Sequence, residues 1–174
     1  MNTRIRLFGN HVTVAIILAF LASASAKAAD QDKNNIPGEA ATILDQASQF
    51  ELFSIHPDPL LDEKYKDHFH GWKVLGQTGV NDLKIRKKLV AAFKKGVKEN
   101  EGMVARCFNP RHAIRASHDG KTADFVICFE CYQVWWYLDG KERDRFLITN
   151  SPQQLFDKVL TDANVPLAGK PEKK

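Results

Sequence analysis

The stretch CFNPRHAIRASHDGKTADFVICFECYQVWWYLDGKERDRFLIT, residues 107–149, decides the architecture. It carries two Asp-Gly pairs, Asp119-Gly120 and Asp139-Gly140, each set between β-branched and aromatic runs. That pattern is the strongest short-range signal for a β-hairpin. Centring the first turn on Asp119-Gly120 pairs Arg115 with Asp124 and Ile114 with Phe125, so an ion pair and an apolar pair both come out matched. Centring the second on Asp139-Gly140 sets Gln133 opposite Phe146 and Cys131 opposite Ile148. Reading the segment between the two turns as one continuous strand places Phe125, Ile127, Phe129, Cys131, Trp135 and Tyr137 on one side, with Ile114, Phe146 and Ile148. That side reads as core. The other side bears Asp124, Val126, Cys128, Tyr132, Val134 and Trp136 and is more aromatic than a solvated sheet face needs, so it reads as a binding face with Tyr132 and Trp136 as anchors or, alternatively, as a face covered by one of the helices or a partner subunit.

Outward from this region the elements are less sharply written. Ala40, Ile43, Leu44 and Ala47 recur at helical spacing within residues 37–48, which predicts a short helix. Residues 50–55 (FELFSI) predict a strand stopped by His56-Pro57-Asp58-Pro59, since proline removes a ladder donor. Residues 60–70 form an ambiguous charged connection, and residues 72–77 (WKVLGQ) predict a second strand. Asn81 is placed to cap a long helix, with Asp82 in its first turn and Ile85, Leu89, Ala92, Phe93 and Gly96 as its apolar stripe. Ser151-Pro152-Gln153-Gln154 reads as N-cap, N1 and N3 of a last helix with Leu155, Phe156, Val159 and Leu160 facing the core, stopped by residues 164–166. The expected fold is α+β: a mostly antiparallel sheet of about five or six strands with two or three helices packed on it.

The N-terminus carries Arg4 and Arg6, an apolar run at residues 12–22 (VTVAIILAFLA), and A-x-A patterns ending at Ala26 and Ala28, the pattern of a cleaved secretory signal peptide. An apolar run of about 11 residues falls short of the roughly 20 that a membrane-crossing helix needs. The expected organisation is a signal peptide at 1–28, a disordered linker at 29–36, one domain at 37–167 and a disordered tail at 168–174, in a periplasmic or secreted protein without a transmembrane segment in its mature form. The whole chain has 25 basic and 21 acidic residues. Cleavage removes Arg4, Arg6 and Lys27, which leaves 22 against 21 and no warrant for nucleic-acid binding. Lys84, Lys87, Lys88, Lys94, Lys95 and Lys98 still cluster on the long helix, where they read either as a solvated face or as a surface for an anionic partner.

All three cysteines, Cys107, Cys128 and Cys131, lie in the hairpin region. On an undistorted strand Cys128 and Cys131 point to opposite faces, so the C-x-x-C pair is not expected to converge unless a bulge bends the strand. A disulfide from Cys107 to Cys128 or Cys131 suits an oxidising compartment and leaves one thiol unpaired, with Cys131 the natural buried one. Cys107, His112, Cys128 and Cys131 are alternatively the donor set of a Cys3His zinc site. A cysteine paired with His112 or His118 as a nucleophile is a third reading, and His68 and His70 with Asp67 are a further candidate donor set. Arg111 reads as a brace for its turn or as a carboxylate binder. No phosphate loop, paired-carboxylate signature or nucleophile elbow is present, so the reading leans away from an enzyme.

The combination of WKVLGQT, the basic helix, CFNPRH and DFVICFEC resembles a set of uncharacterised exported bacterial proteins sharing a Cys-Phe-x-Pro-Arg-His and a Cys-Phe-x-Cys pattern. The resemblance spans roughly residues 50–150 and implies export and a single domain, with no activity attached. The functional expectation is therefore a binding or structural interaction module with an unknown protein or small-molecule partner and no cofactor. The alternative is a zinc-binding or thiol-reactive protein built on Cys107, His112, Cys128 and Cys131.

Overall fold

The computed structural model describes residues 35–60 and 67–169. The signal peptide read at 1–28, the linker up to residue 34, part of the charged connection (61–66) and the end of the tail (170–174) lie outside them. The elements in chain order are α1 (Gly38–Gln46), β1 (Gln49–Pro59), β2 (His68–Phe69), β3 (Trp72–Gly79), α2 (Leu83–Lys98), β4 (His112–His118), β5 (Lys121–Cys128), β6 (Gln133–Leu138), β7 (Lys141–Leu147) and α3 (Gln153–Asp162). The strands form one antiparallel sheet in the order β2-β3-β1-β4-β5-β6-β7, an α+β arrangement with one or two more strands than the sequence reading set.

The first hairpin has the expected register, with Arg115 opposite Asp124 and Ile114 opposite Phe125. Asp119 and Gly120 have φ of 47° and 74°, and Asp139 and Gly140 have 50° and 77°, the left-handed pair that matches the twist of the flanking strands. The second hairpin departs from expectation. Tyr137 opposes Glu142 but Trp136 opposes Asp144, so Arg143 is an extra residue and Gln133 faces Leu147 rather than Phe146.

A larger correction concerns the run taken as one long strand. β5 ends at Cys128, residues 129–132 make a turn, and β6 starts afresh at Gln133. The turn resets the alternation. Val134 and Trp136 share the face of Phe125 and Ile127, while Trp135 and Tyr137 share the face of Val126. Trp136, read as an exposed anchor, is 5% exposed and belongs to the core under the helices.

Other boundaries moved for local reasons. β1 runs on through Pro57 to Pro59, and its pairing with β3 is irregular between Ile55 and Pro59, where the prolines offer no donor. Asp82, not Asn81, caps α2: its carboxylate accepts from the backbone N–H of Lys84 and Ile85 at 2.7 and 3.1 Å. Ser151 does not cap α3; its hydroxyl donates to Glu99. Asn164 stops α3 in a left-handed conformation (φ 58°), with the Val165 N–H donating to the Leu160 carbonyl and the Asn164 N–H to Thr161.

All three helices pack on one face, where Leu44, Leu89, Phe93, Phe156 and Leu160 meet Leu52, Ile114, Phe125 and Ile127. The other face holds a second cluster of strand and loop residues alone: Phe53, Ile55, Phe69, Trp72, Ala113, Val126 and Tyr137, with Phe108 and Trp135 against them. Trp72 on β3 and Trp135 on β6 have ring centroids 5.6 Å apart, yet four strand spacings separate those strands, about 19 Å in a flat sheet. The sheet is therefore curled, and its concave face closes on its own aromatic side chains.

Candidate functional site

The three sulfurs converge at the end of this curled sheet. Cys128 closes β5, and the turn Phe129-Glu130-Cys131-Tyr132 brings the chain back with Tyr132 at φ 58°. That left-handed residue permits what straight alternation forbids, and Cys128 and Cys131 form a disulfide with Cα atoms 5.2 Å apart. Arg111, its side chain 10% exposed, holds the turn from the neighbouring strand: its Nη1 is 2.9 Å from Glu130 Oε2, while its Nε donates to the Gly169 carbonyl. Arg111 thus pairs with a carboxylate of the 129–132 turn rather than bracing only the turn that precedes it.

Cys107 reaches the same point from the segment before β4. The Ala105 N–H donates to the Cys131 carbonyl (3.1 Å) and the Gln133 side-chain amide donates to the Ala105 carbonyl (2.8 Å), so this segment lies along residues 131–133. Phe108 anchors it, stacked on Trp135 at 4.1 Å and edge-on to Trp72 at 5.6 Å. Cys107 Sγ then stands 3.0 Å from Cys131 Sγ. Cys107 is an exposed free thiol, whereas Cys128 and Cys131 are 1% and 0% exposed. The expectation that Cys107 is bridged and Cys131 free is reversed. Backbone donors also point at the buried pair: Asn109 N–H at Cys131 Sγ (3.3 Å) and Cys131 N–H at Cys128 Sγ (3.1 Å).

His112 does not join the sulfurs. It is buried on the helix side, with Nε2 2.7 Å from Asp157 Oδ1 and its ring edge-on to Phe129 and Phe156. Among the described residues, no group of three or more His, Cys, Asp or Glu side chains is placed to hold a metal ion. Tyr132 serves as the turn residue, its carbonyl accepting from the Ile148 N–H. His68 and His70 do not act together either: His68 Nδ1 accepts from Gly71, while His70 turns into the concave face.

There His70 completes a second polar cluster. Its Nε2 is 2.7 Å from Asp124 Oδ2, and its ring stacks on Tyr137 at 3.7 Å. Arg115 makes a two-pronged contact with the same carboxylate, 2.8 Å on each arm, and lies over the rings of Phe53 and Phe69. Burial alone would raise the Asp124 pKa, but hydrogen bonds from Arg115 and His70 outweigh it and hold the carboxyl below its ordinary value. The bond to Asp124 raises the Arg115 pKa, and burial pushes the Tyr137 phenol up to about 12. Every member is satisfied, so the cluster works as a tie from the β2–β3 turn to the centre of the sheet. The Arg115–Asp124 pair is readable from the hairpin register, but His70 is not, because only the curl brings residue 70 to residue 124.

Comparison with protein-family models, with curated protein sequences and with solved structures finds no match for this chain.

Proposed function

We propose that this protein is an exported thiol–disulfide exchange protein in which Cys107 is the surface thiol and Cys128–Cys131 a protected disulfide. The observation that carries this reading is the 3.0 Å approach of Cys107 Sγ to Cys131 Sγ. A thiolate displaces a thiolate by attacking a disulfide sulfur, so attacker and target must be in contact. Here the Cys107 thiolate attacks Cys131 Sγ, the Cys107–Cys131 bond forms, the Cys128–Cys131 bond breaks, and Cys128 leaves as a thiolate that takes up the proton Cys107 gave up. No net oxidation occurs. The Cys131 N–H supports sulfur charge on departing Cys128, and the Asn109 N–H does so on Cys131 when it leaves in turn.

The exchange changes access. In the Cys128–Cys131 form neither bonded sulfur meets solvent, whereas in the Cys107–Cys131 form the exposed Cys107 carries half of the bond. A partner protein's dithiol then attacks Cys107 and expels Cys131, and the partner's second thiol resolves the mixed disulfide. The partner leaves oxidised, and Cys107 and Cys131 are left as thiols. An oxidising compartment, read from the N-terminal segment, is where such a form persists.

Disulfide mapping after acid quench and alkylation tests the reading. Cys107–Cys131 peptides are expected beside Cys128–Cys131 peptides, with the Cys107-linked fraction complete in a Cys128→Ala variant. Oxidation of a reduced two-cysteine peptide is expected to be lost in Cys107→Ala. Equal oxidation by wild type and Cys107→Ala would overturn the proposal, and a zinc ion held stoichiometrically by the reduced protein would favour the metal-site reading instead.

A further inference from the structure

The N-terminal half of helix α2, beyond its Asp82 cap, carries charges that work against the helix. Its sixteen residues LKIRKKLVAAFKKGVK include seven basic and no acidic ones, and Lys84, Arg86, Lys87 and Lys88 crowd its first two turns. Cations at a helix N-terminus oppose the helix dipole, and Lys84 and Lys88 repel one another at i, i+4. The C-terminal half is partly neutralised, Lys94 by Asp45 and Lys95 by Glu99. Among the described residues, Lys84, Arg86, Lys87, Lys88 and Lys98 have no acidic partner.

Position on the helix sharpens the pattern. At 3.6 residues per turn, Lys84, Lys87, Lys88, Lys95 and Lys98 fall within about 100° of arc, centred opposite buried Phe93. All five are exposed. At the N-terminal end two apolar side chains stand on either side of this ridge, Leu83 at 58% exposure and Ile85 at 39%. Each borders a groove: one of ≈ 290 Å³ between α1 and α2, which includes Leu44, Leu83 and Val90, and one of ≈ 320 Å³ beside α3, which includes Val80, Ile85 and Val159. Local rules broken without a gain in folding are expected where a chain serves a partner.

We propose that α2 docks the protein on an anionic phospholipid surface, the lysine ridge meeting the headgroups and Leu83 and Ile85 entering the interface beside it. Charge complementarity selects an anionic partner, and exposed leucine and isoleucine select a bilayer over a soluble polyanion, which has no apolar phase to receive them. No aromatic side chain lies on the helix's exposed face, as stacking on nucleic-acid bases would need. The site is independent of the sulfur cluster.

The test is co-sedimentation of the full chain with vesicles of equimolar phosphatidylglycerol and phosphatidylcholine, compared with phosphatidylcholine alone. The readout is the phosphatidylglycerol-dependent part of the affinity, compared between variants, so that the apolar run at residues 12–22 contributes equally to every arm. Lys84→Gln/Lys87→Gln is expected to weaken it roughly thirtyfold, about fivefold for each charge. The charge-matched Lys141→Gln/Arg143→Gln on β7 is expected to leave it unchanged. Leu83→Ser/Ile85→Ser should weaken vesicle binding without altering binding to heparin. Heparin or duplex DNA binding without phosphatidylglycerol dependence, or equal loss in the α2 and β7 charge variants, would overturn the proposal.

Discussion

A single backbone conformation decides the chemistry available to the cysteines. Tyr132 in the left-handed region lets four residues reverse the chain, and with that reversal Cys128 and Cys131 meet and Cys107 finds a sulfur to touch. No glycine, asparagine or proline marks the turn in Cys128-Phe129-Glu130-Cys131-Tyr132, and tyrosine is a poor advertisement for positive φ. The bond itself and the Arg111–Glu130 brace hold it instead. Asp124 belongs to the same scale. Its carboxyl titrates below its ordinary value when folded and near about 3.9 when unfolded, so its contribution to stability is fully present above that pH and is lost as pH falls through the folded value. Asp124→Asn is expected to cost roughly 1.5 to 3 kcal/mol near neutrality, the worth of hydrogen bonds to a charged group. In urea titrations the gap to wild type should narrow at about pH 3, and a gap that persists there would refute the assignment.

At the scale of the elements, the clearest signals were the local ones. Both Asp-Gly turns, the stripe of α3 and its asparagine stop are written in adjacent residues and appear where expected, whereas the stripe read for α2 holds at Leu89, Phe93 and Gly96 but not at Ile85, which is exposed. The errors lie where a neighbour intervened: a bulge at Arg143 slips the second hairpin by one residue, and Asp82 caps α2 in place of Asn81. Gly96 in the last turn of α2 shows how an element is shaped by what crosses it. A Cβ there would lie 2.7 Å from Pro152 Cγ and 3.1 Å from Ile148 Cγ1, and the Gly96 carbonyl accepts from the Thr149 N–H. Alanine would favour the isolated helix but force α2 away from the β7–α3 connection. Gly96→Ala is therefore expected to destabilise by about 1 to 3 kcal/mol by thermal or urea unfolding, and a stabilised variant would show that the contact yields.

At the scale of the molecule, curling lets one sheet have two cores, one under the helices and one inside its own concavity. The disulfide contributes little to holding either. It closes a loop of only four residues, worth about 2 kcal/mol in the chain-entropy treatment, whereas Cys107–Cys131 would close 25, worth about 3.5 kcal/mol. Reduction is expected to lower the urea midpoint modestly and leave the near-ultraviolet circular dichroism of the tryptophans in place; loss of that signal would mean that the curl depends on the bond. A fold that survives reduction can also cycle its thiols without unfolding, as exchange with a partner requires.

The amino-acid sequence by itself determined the α+β class, the first hairpin with its Arg115–Asp124 pair, the buried stripe of α3 and the Leu89–Phe93–Gly96 part of that of α2. Each of these depends on residues within a few positions of one another or on pairing across a two-residue turn, where periodicity and φ preference are strong. The tertiary structure alone decided that Trp136 is core, that His70 meets Asp124 and that Cys128–Cys131 is the bonded pair beneath a free Cys107. Alternation carries a reading along a strand only until the strand ends, and nothing in the residues before Tyr132 announces that end. Contacts across a curled sheet, moreover, join strands as much as four places apart, a distance on which local spacing is silent.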